Sequence, residues 1–159
     1  MVLHLLLLLS VTPLGGPQAA TAVCTNENFC PFSATLARAL LNAKSARRFR
    51  FPQSNSFGPI RTLEKTEKVE VDEIVGSNLD QLRTLILSVV KPDTGPRKSC
   101  PFAPSLGFQF LSGGVEVWWL VSNFCETGML VSAHDDWRRS PLVNISRGAL
   151  QSFQQLGSE

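Results

Sequence analysis

The sequence predicts an α+β domain: an antiparallel or mixed sheet of about five strands, with about three helices mainly on one face. Three observations carry that expectation. Apolar residues recur at helical spacing in three separate segments. Two β-prone runs flank Ser112-Gly113-Gly114, which supplies the backbone freedom of a tight hairpin turn. The helical and strand patterns follow one another as helix, two strands, helix, three strands, helix, so the apolar helix stripes can be buried only against a shared sheet.

Each element has its own signal. Leu36, Ala39, Leu40 and Ala43 form the stripe of a helix expected over residues 33–47, with Pro31 ahead of it and Lys44, Arg47 and Arg48 at its cation-tolerant end. Phe49 and Phe51 alternate with Arg50 as a short strand. Residues 52–59 are rich in Pro, Ser, Asn and Gly and read as a loop. Residues 60–71 read as an edge strand, because the mixture of Lys and Glu discourages pairing with other chains. Glu64, Glu67, Glu70, Asp72 and Glu73 fit ion pairs on such an edge better than the paired carboxylates of a glycosidase.

Leu79, Leu82, Leu85, Ile86, Val89 and Val90 mark a helix over residues 78–90. Ser77 is its expected N-cap, Asp80 completes a weak capping box, and Leu85 is expected in the core. Residues 106–111 and 115–121 form the hairpin, and its second strand is apolar on both faces after Glu116, which places it centrally. Residues 129–132 add a third strand of the meander. The last helix covers residues 146–156, with Ala149, Leu150, Phe153 and Leu156 facing inward and Gly157 ending it.

The first residues assign a compartment. An apolar run over residues 3–9 precedes the small-residue stretch Ala19-Ala20-Thr21-Ala22, which is the h-region and A-x-A pattern of a secretory signal peptide. Residues 1–22 are therefore expected to be removed, leaving residues 23–159 as one domain that is secreted or periplasmic. The run is too short to span a bilayer, so no stable membrane insertion is expected after cleavage. Lipidation of Cys24 is the rival processing route, disfavoured by Val23 at the position where a lipobox has a small residue. The formal net charge of +2 argues against a nucleic-acid partner.

All four cysteines, Cys24, Cys30, Cys100 and Cys125, lie beyond the cleavage point, where the compartment is oxidising. Of the three connectivities open to four cysteines, the local pairs Cys24–Cys30 and Cys100–Cys125 are expected. The hairpin brings the positions flanking its two strands together, which favours the second pair. The rival is a pair of buried thiols acting as small apolar residues. The spacings lack the close pairs of a zinc site, and no metal or other cofactor is expected.

The stretch from Cys100-Pro101-Phe102-Ala103-Pro104 through the aromatic hairpin to Ser122-Asn123-Phe124-Cys125 resembles a group of small, mostly uncharacterised and often exported bacterial proteins. Their pattern is a Cys, a Pro a few residues later, an aromatic hairpin, and a C-x-x-C closing its second strand. The resemblance covers roughly residues 49–156 and implies the same helix–hairpin–helix layout. This chain has Ser122 where the pattern has its first paired Cys, and Ser105-Leu106 where it often has Arg-His. A dithiol centre is therefore hard to build, and no activity carries over.

Other chemistry-bearing residues are sparse. His134-Asp135-Asp136 reads as a solvated loop rather than a metal or acid–base cluster, and a Ser-His-Asp triad would have to use His134 without any G-x-S-x-G elbow. Lys44 to Arg50 is a basic cluster, better read as a helix end running into a strand than as an anion site. Trp118, Trp119 and Trp137 could line a ligand surface together with His134. Trp118 and Trp119 point to opposite sheet faces, and packing of both is the expected arrangement. Asn144-Ile145-Ser146 matches a glycosylation acceptor, but these residues also suit a helix N-cap.

The leading expectation is thus an exported, non-enzymatic module that binds a protein or envelope ligand through its sheet face or polar loops. The alternatives are a small thiol-dependent redox protein or hydrolase using Cys125 with His134, and a structural envelope component. Export itself is directly testable: N-terminal sequencing of the exported protein should begin at Val23, and a retained Met1 on a membrane-bound product would refute the cleavage.

Overall fold

The computed structural model describes residues 33–52, 63, 66–90, 100, 102–134 and 140–156. The expected signal segment, Cys24, Cys30, Asp135, Asp136 and Trp137 lie outside the described residues. The element order is α1 (Ala34–Asn42), β1 (Ala46–Arg50), β2 (Val69–Ile74), α2 (Gly76–Val89), β3 (Leu106–Ser112), β4 (Val115–Ser122), β5 (Thr127–Ser132), β6 (Val143–Asn144) and α3 (Arg147–Gln155). The strands form one sheet in the order β2-β1-β3-β4-β5-β6, with every neighbouring pair antiparallel. The fold class is α+β.

All three helices among the described residues pack on one face of this sheet. Ala39, Leu40 and Ala43 from α1 and its cap, Leu79, Leu82 and Ile86 from α2, and Leu150, Phe153 and Leu156 from α3 and its cap share a single apolar cluster with Phe108, Phe110, Val117, Trp119, Val121 and Leu130 of the sheet. Phe153 sits between Phe108 and Trp119, with ring centroids 5.9 Å and 6.0 Å away. The opposite face carries a second cluster of Phe49, Phe51, Leu63, Trp118, Leu120, Met129, Val131 and Ala133, with Phe102 packed against it. Strand alternation explains the division: Val117, Trp119 and Val121 face the helices, and Trp118 and Leu120 face away.

Turn and cap chemistry hold the elements in place. Gly113 and Gly114 both have positive φ, 57° and 78°, as a two-residue type I′ hairpin turn requires. Ser33 caps α1 through the Leu36 amide, and Ser146 caps α3 through the Ala149 amide. The helical carbonyls at the other end of α1 are met from a distance. Arg83 of α2 donates to the carbonyls of Leu40 and Ala43 and also pairs with Asp80. Arg48 of β1, buried beneath α3, donates to the Leu156 carbonyl and grips Asp72 of β2 with two hydrogen bonds of 2.8 Å and 2.6 Å. A buried arginine is tolerated because its fork is filled on all sides.

Several boundaries differ from the sequence reading. Helix α1 stops at Asn42 rather than residue 47, because residues 46–50 pair with strands on both sides and cannot also be helical. The edge strand begins at Val69 and runs to Ile74, after a turn in which the Thr66 amide meets the Leu63 carbonyl. It does lie at the sheet edge, and its acids are paired inward: Glu70 with Arg47 at 3.6 Å and Asp72 with Arg48. Helix α2 starts at Gly76, so Ser77 lies inside its first turn, and the N-cap position is Val75 without a side-chain bond. Leu85 sits at the rim of the core, whereas Leu82 and Ile86 are fully enclosed. Strand β6 was not anticipated, since two residues are too few to display an alternating pattern.

The enclosure of Leu82 sets an expected ranking in denaturant melts. Leu82→Ala should lose about 2–5 kcal/mol of stability, the usual cost of an internal Leu-to-Ala change, and Leu85→Ala clearly less. Equal costs at the two positions would contradict this placement of α2.

Candidate functional site

The second sheet face is where polar and aromatic chemistry meet. Trp118 lies on it at 1% exposure, and Trp119 lies on the helix face at 0% exposure. Neither ring is presented to solvent, so neither forms an open stacking platform. Trp118 is held from several directions. Phe49 packs against it with ring centroids 4.9 Å apart. The Lys68 ammonium stands 5.7 Å from the ring centroid and donates to the Leu63 carbonyl at 2.9 Å. Lys68 thereby ties the Leu63 turn down over the indole. The indole N–H donates to Glu116 Oε1 at 2.7 Å.

Glu116 is the centre of the polar end of this face. The Gln109 amide N–H also donates to Glu116 Oε1, at 2.6 Å. The register explains the convergence. Gln109 pairs with Trp118 and Leu111 pairs with Glu116, so all four side chains project from the same face near the hairpin turn. Among the described residues Glu116 has no ion-pair partner. The carbonyl oxygen of Gln109 is buried without a hydrogen-bond partner, in a residue only 9% exposed. Leu111, beside this group, is 56% exposed. Arg47 is the cross-strand neighbour of Gln109, but its guanidinium is engaged by Glu70 and lies 5.9 Å from the Phe49 ring centroid.

The other end of the same face is closed rather than open. The Phe51 ring packs close over Gly107, where an added Cβ would approach it to 2.8 Å. The Phe51 amide bonds the Ser105 carbonyl, and the Ser105 amide and hydroxyl both reach the Val121 carbonyl. Phe102 is carried onto the cluster by this strap. Cys100, just before the strap, is disulfide-bonded to Cys125 in the β4–β5 turn, with Cα atoms 6.0 Å apart. That separation is typical of a disulfide. The expected Cys100–Cys125 pair is therefore present, and it anchors the strap to the far end of β4.

The remaining sequence candidates are dispersed. His134 is exposed and follows β5 at its end nearer Glu116. Cys125 precedes β5 at the opposite end and is buried within the disulfide. The six residues of β5 between them span roughly 17 Å at about 3.3 Å per residue, so the two side chains do not form a dyad. Ser122, which stands where the resembled pattern has a Cys, is buried with its hydroxyl near the Cys125 amide at 3.4 Å. Ser146 of the glycosylation-like triplet is the helix cap, and Asn144 is a half-buried residue of β6. The basic cluster is dispersed into Arg47 and Arg48, each paired with an acid of β2. Arg147, on the surface, is held above its ordinary pKa by its hydrogen bond and charge contact with Glu126.

Gln109 and Glu116 were not singled out from the sequence as site residues. A signal existed: each interrupts an apolar strand, and a turn centred on Gly113-Gly114 sets them diagonally on one face. No group of three or more His, Cys, Asp or Glu side chains suited to a metal ion occurs among the described residues. No helix among them is long and apolar enough to cross a membrane.

The disulfide makes a measurable contribution. Reducing Cys100–Cys125, which closes a loop of sequence separation 25, should lower stability by about 3 kcal/mol in the chain-entropy treatment, read as a reductant-dependent shift of the denaturation midpoint. An unchanged midpoint would show that the strap is secured without it. No family model, curated protein or solved structure matches this chain.

Proposed function

We propose that the protein is an exported, non-enzymatic binding domain whose recognition surface is the hairpin end of the second sheet face, around Leu111, Glu116 and Gln109. The observation that carries this reading is a half-buried carboxylate without a counter-ion among the described residues, set beside a buried unpartnered carbonyl and an exposed leucine. Buried polar atoms in folded proteins are almost always satisfied, and an unsatisfied one beside a half-buried carboxylate suits a partner that completes it. The A-x-A segment and the Cys100–Cys125 disulfide support a secreted or periplasmic location. The partner is a protein or envelope ligand.

The competing enzymatic reading is less well supported. Its nucleophile, Cys125, is spent in a disulfide, and its base, His134, lies beyond the other end of β5. We also propose kinship with the small exported bacterial proteins whose Cys-led aromatic hairpin this chain resembles. Cysteines flanking the hairpin at both ends support that kinship.

The test compares variants of one surface. Tagged protein should retain an interaction partner from its native envelope or medium. Leu111→Asp should abolish that retention without changing the melting temperature, while Gln151→Arg, on the exposed side of α3, should leave it intact. Retention that is indifferent to Leu111→Asp would place recognition elsewhere and defeat the proposal.

A further inference from the structure

We infer that the Glu116–Gln109 pair is a receptor for a guanidinium group, supplied by an arginine side chain of a protein partner. The inference rests on the binding reading above and names the chemistry of its partner. It begins with what the two residues can still accept. Glu116 Oε1 already takes hydrogen bonds from Gln109 Nε2 and Trp118 Nε1, at 2.6 Å and 2.7 Å. Those bonds fix the carboxylate in place and leave Oε2 with no donor from the described residues. They also fix the Gln109 amide, because Nε2 must face the carboxylate. Its Oε1 is thereby committed as an acceptor, and it is the atom left buried without a donor.

The unmet demand is therefore for N–H donors and positive charge together, at the half-buried Glu116 carboxylate and at the enclosed Gln109 Oε1 beside it, which an incoming group reaches by displacing its cover. A planar guanidinium carries five N–H donors in a rigid fork and bonds two acceptors at once. An ammonium is a compact, strongly hydrated point charge without that fork. A hard metal cation would want six or more oxygen ligands, which this pair does not supply. Among the described residues the cations on this face do not meet the demand: Arg47 stands 3.6 Å from Glu70, and Lys68 is engaged by the Leu63 carbonyl and the Trp118 ring. A protein partner, rather than a small guanidinium compound, fits the exposed Leu111 beside the pair, since arginine flanked by apolar contact is a common interface anchor.

Trp118 gives the site a reporter, because its indole N–H is bonded to the receiving carboxylate. In ¹⁵N-labelled full-length protein, the Trp118 indole resonance is assigned by its loss in Trp118→Phe. Titration with the blocked peptide Gly-Leu-Arg-Gly should shift that resonance saturably, while the norleucine analogue should leave it still. Glu116→Gln keeps the shape and the acceptor for Trp118 but removes the charge, and should weaken binding about tenfold or more. Added salt should weaken the wild-type interaction as well.

Gly-Leu-Lys-Gly, which offers an ammonium in place of the guanidinium, should bind more weakly than the arginine peptide, and equal affinity for the two would overturn the guanidinium assignment. A resonance unmoved by either peptide, with an ordered water at Gln109 Oε1 seen through water cross-peaks, would overturn the site. Partner retention lost in Leu111→Asp but kept in Glu116→Gln would reject this inference and leave the binding surface standing. Retention unaffected by either variant would remove both.

Discussion

The structure depends on one constraint: β4 is buried on both faces. Trp118 and Trp119 are successive residues of a strand, so they must point in opposite directions. Enclosing Trp119 takes the three helices, gathered around Phe153. Enclosing Trp118 takes a different device, because among the described residues no helix lies on that side. There the cover is built from irregular chain, the Leu63 turn tied by Lys68 and the Phe102 strap tied by Ser105 and the disulfide. A six-stranded sheet with helices on only one face would otherwise leave Phe49, Trp118 and Leu120 wet. The polar cluster at Glu116 lies at the hairpin end of that face, beyond the described cover.

Two arginines join the layers that burial alone would leave loosely oriented. Arg83 meets the last carbonyls of α1 from α2, and Arg48 meets the end of α3 from the sheet while holding the edge strand through Asp72. Each supplies positive charge at a helix C-terminus, where the backbone dipole favours it. The edge strand gains a further property from this arrangement. Glu70 and Asp72 are turned toward arginines of β1, so β2 is tied to its neighbour and remains a short, charged strand at the edge.

The hairpin, the helix stripes and the centrality of β4 were legible in the sequence because each is a local pattern with a strong period. The Cys100–Cys125 bridge was legible because the hairpin turn lies midway between its cysteines. What was not legible depends on register and on distant partners. The role of Arg48 follows only once Asp72 and Leu156 are brought to it across many residues of chain. The end of α1 at Asn42 reflects strand pairing that overrides a helical preference in the residues beyond it. The convergence of Gln109, Glu116 and Trp118 needed a register, and two adjacent tryptophans hide it, since a shift by one residue merely exchanges one indole for the other. The hydrophobic pattern therefore does not set the pairing of β3 with β4. The type I′ turn and the hydrogen bonds to Glu116 do.

That degeneracy has a consequence for the chain before it folds. Val115 to Val121 is a seven-residue window of high β-propensity with a single charge and no proline. Stretches of this composition self-associate readily when exposed, and slow formation of long-range strand pairs prolongs the exposure. The window is silenced only when helices have closed over one side and the straps over the other. Refolding yield should thus be governed by competition between closure of the second cover and encounter with another chain, making the concentration of protein, as much as its stability, the quantity that decides whether a soluble product forms.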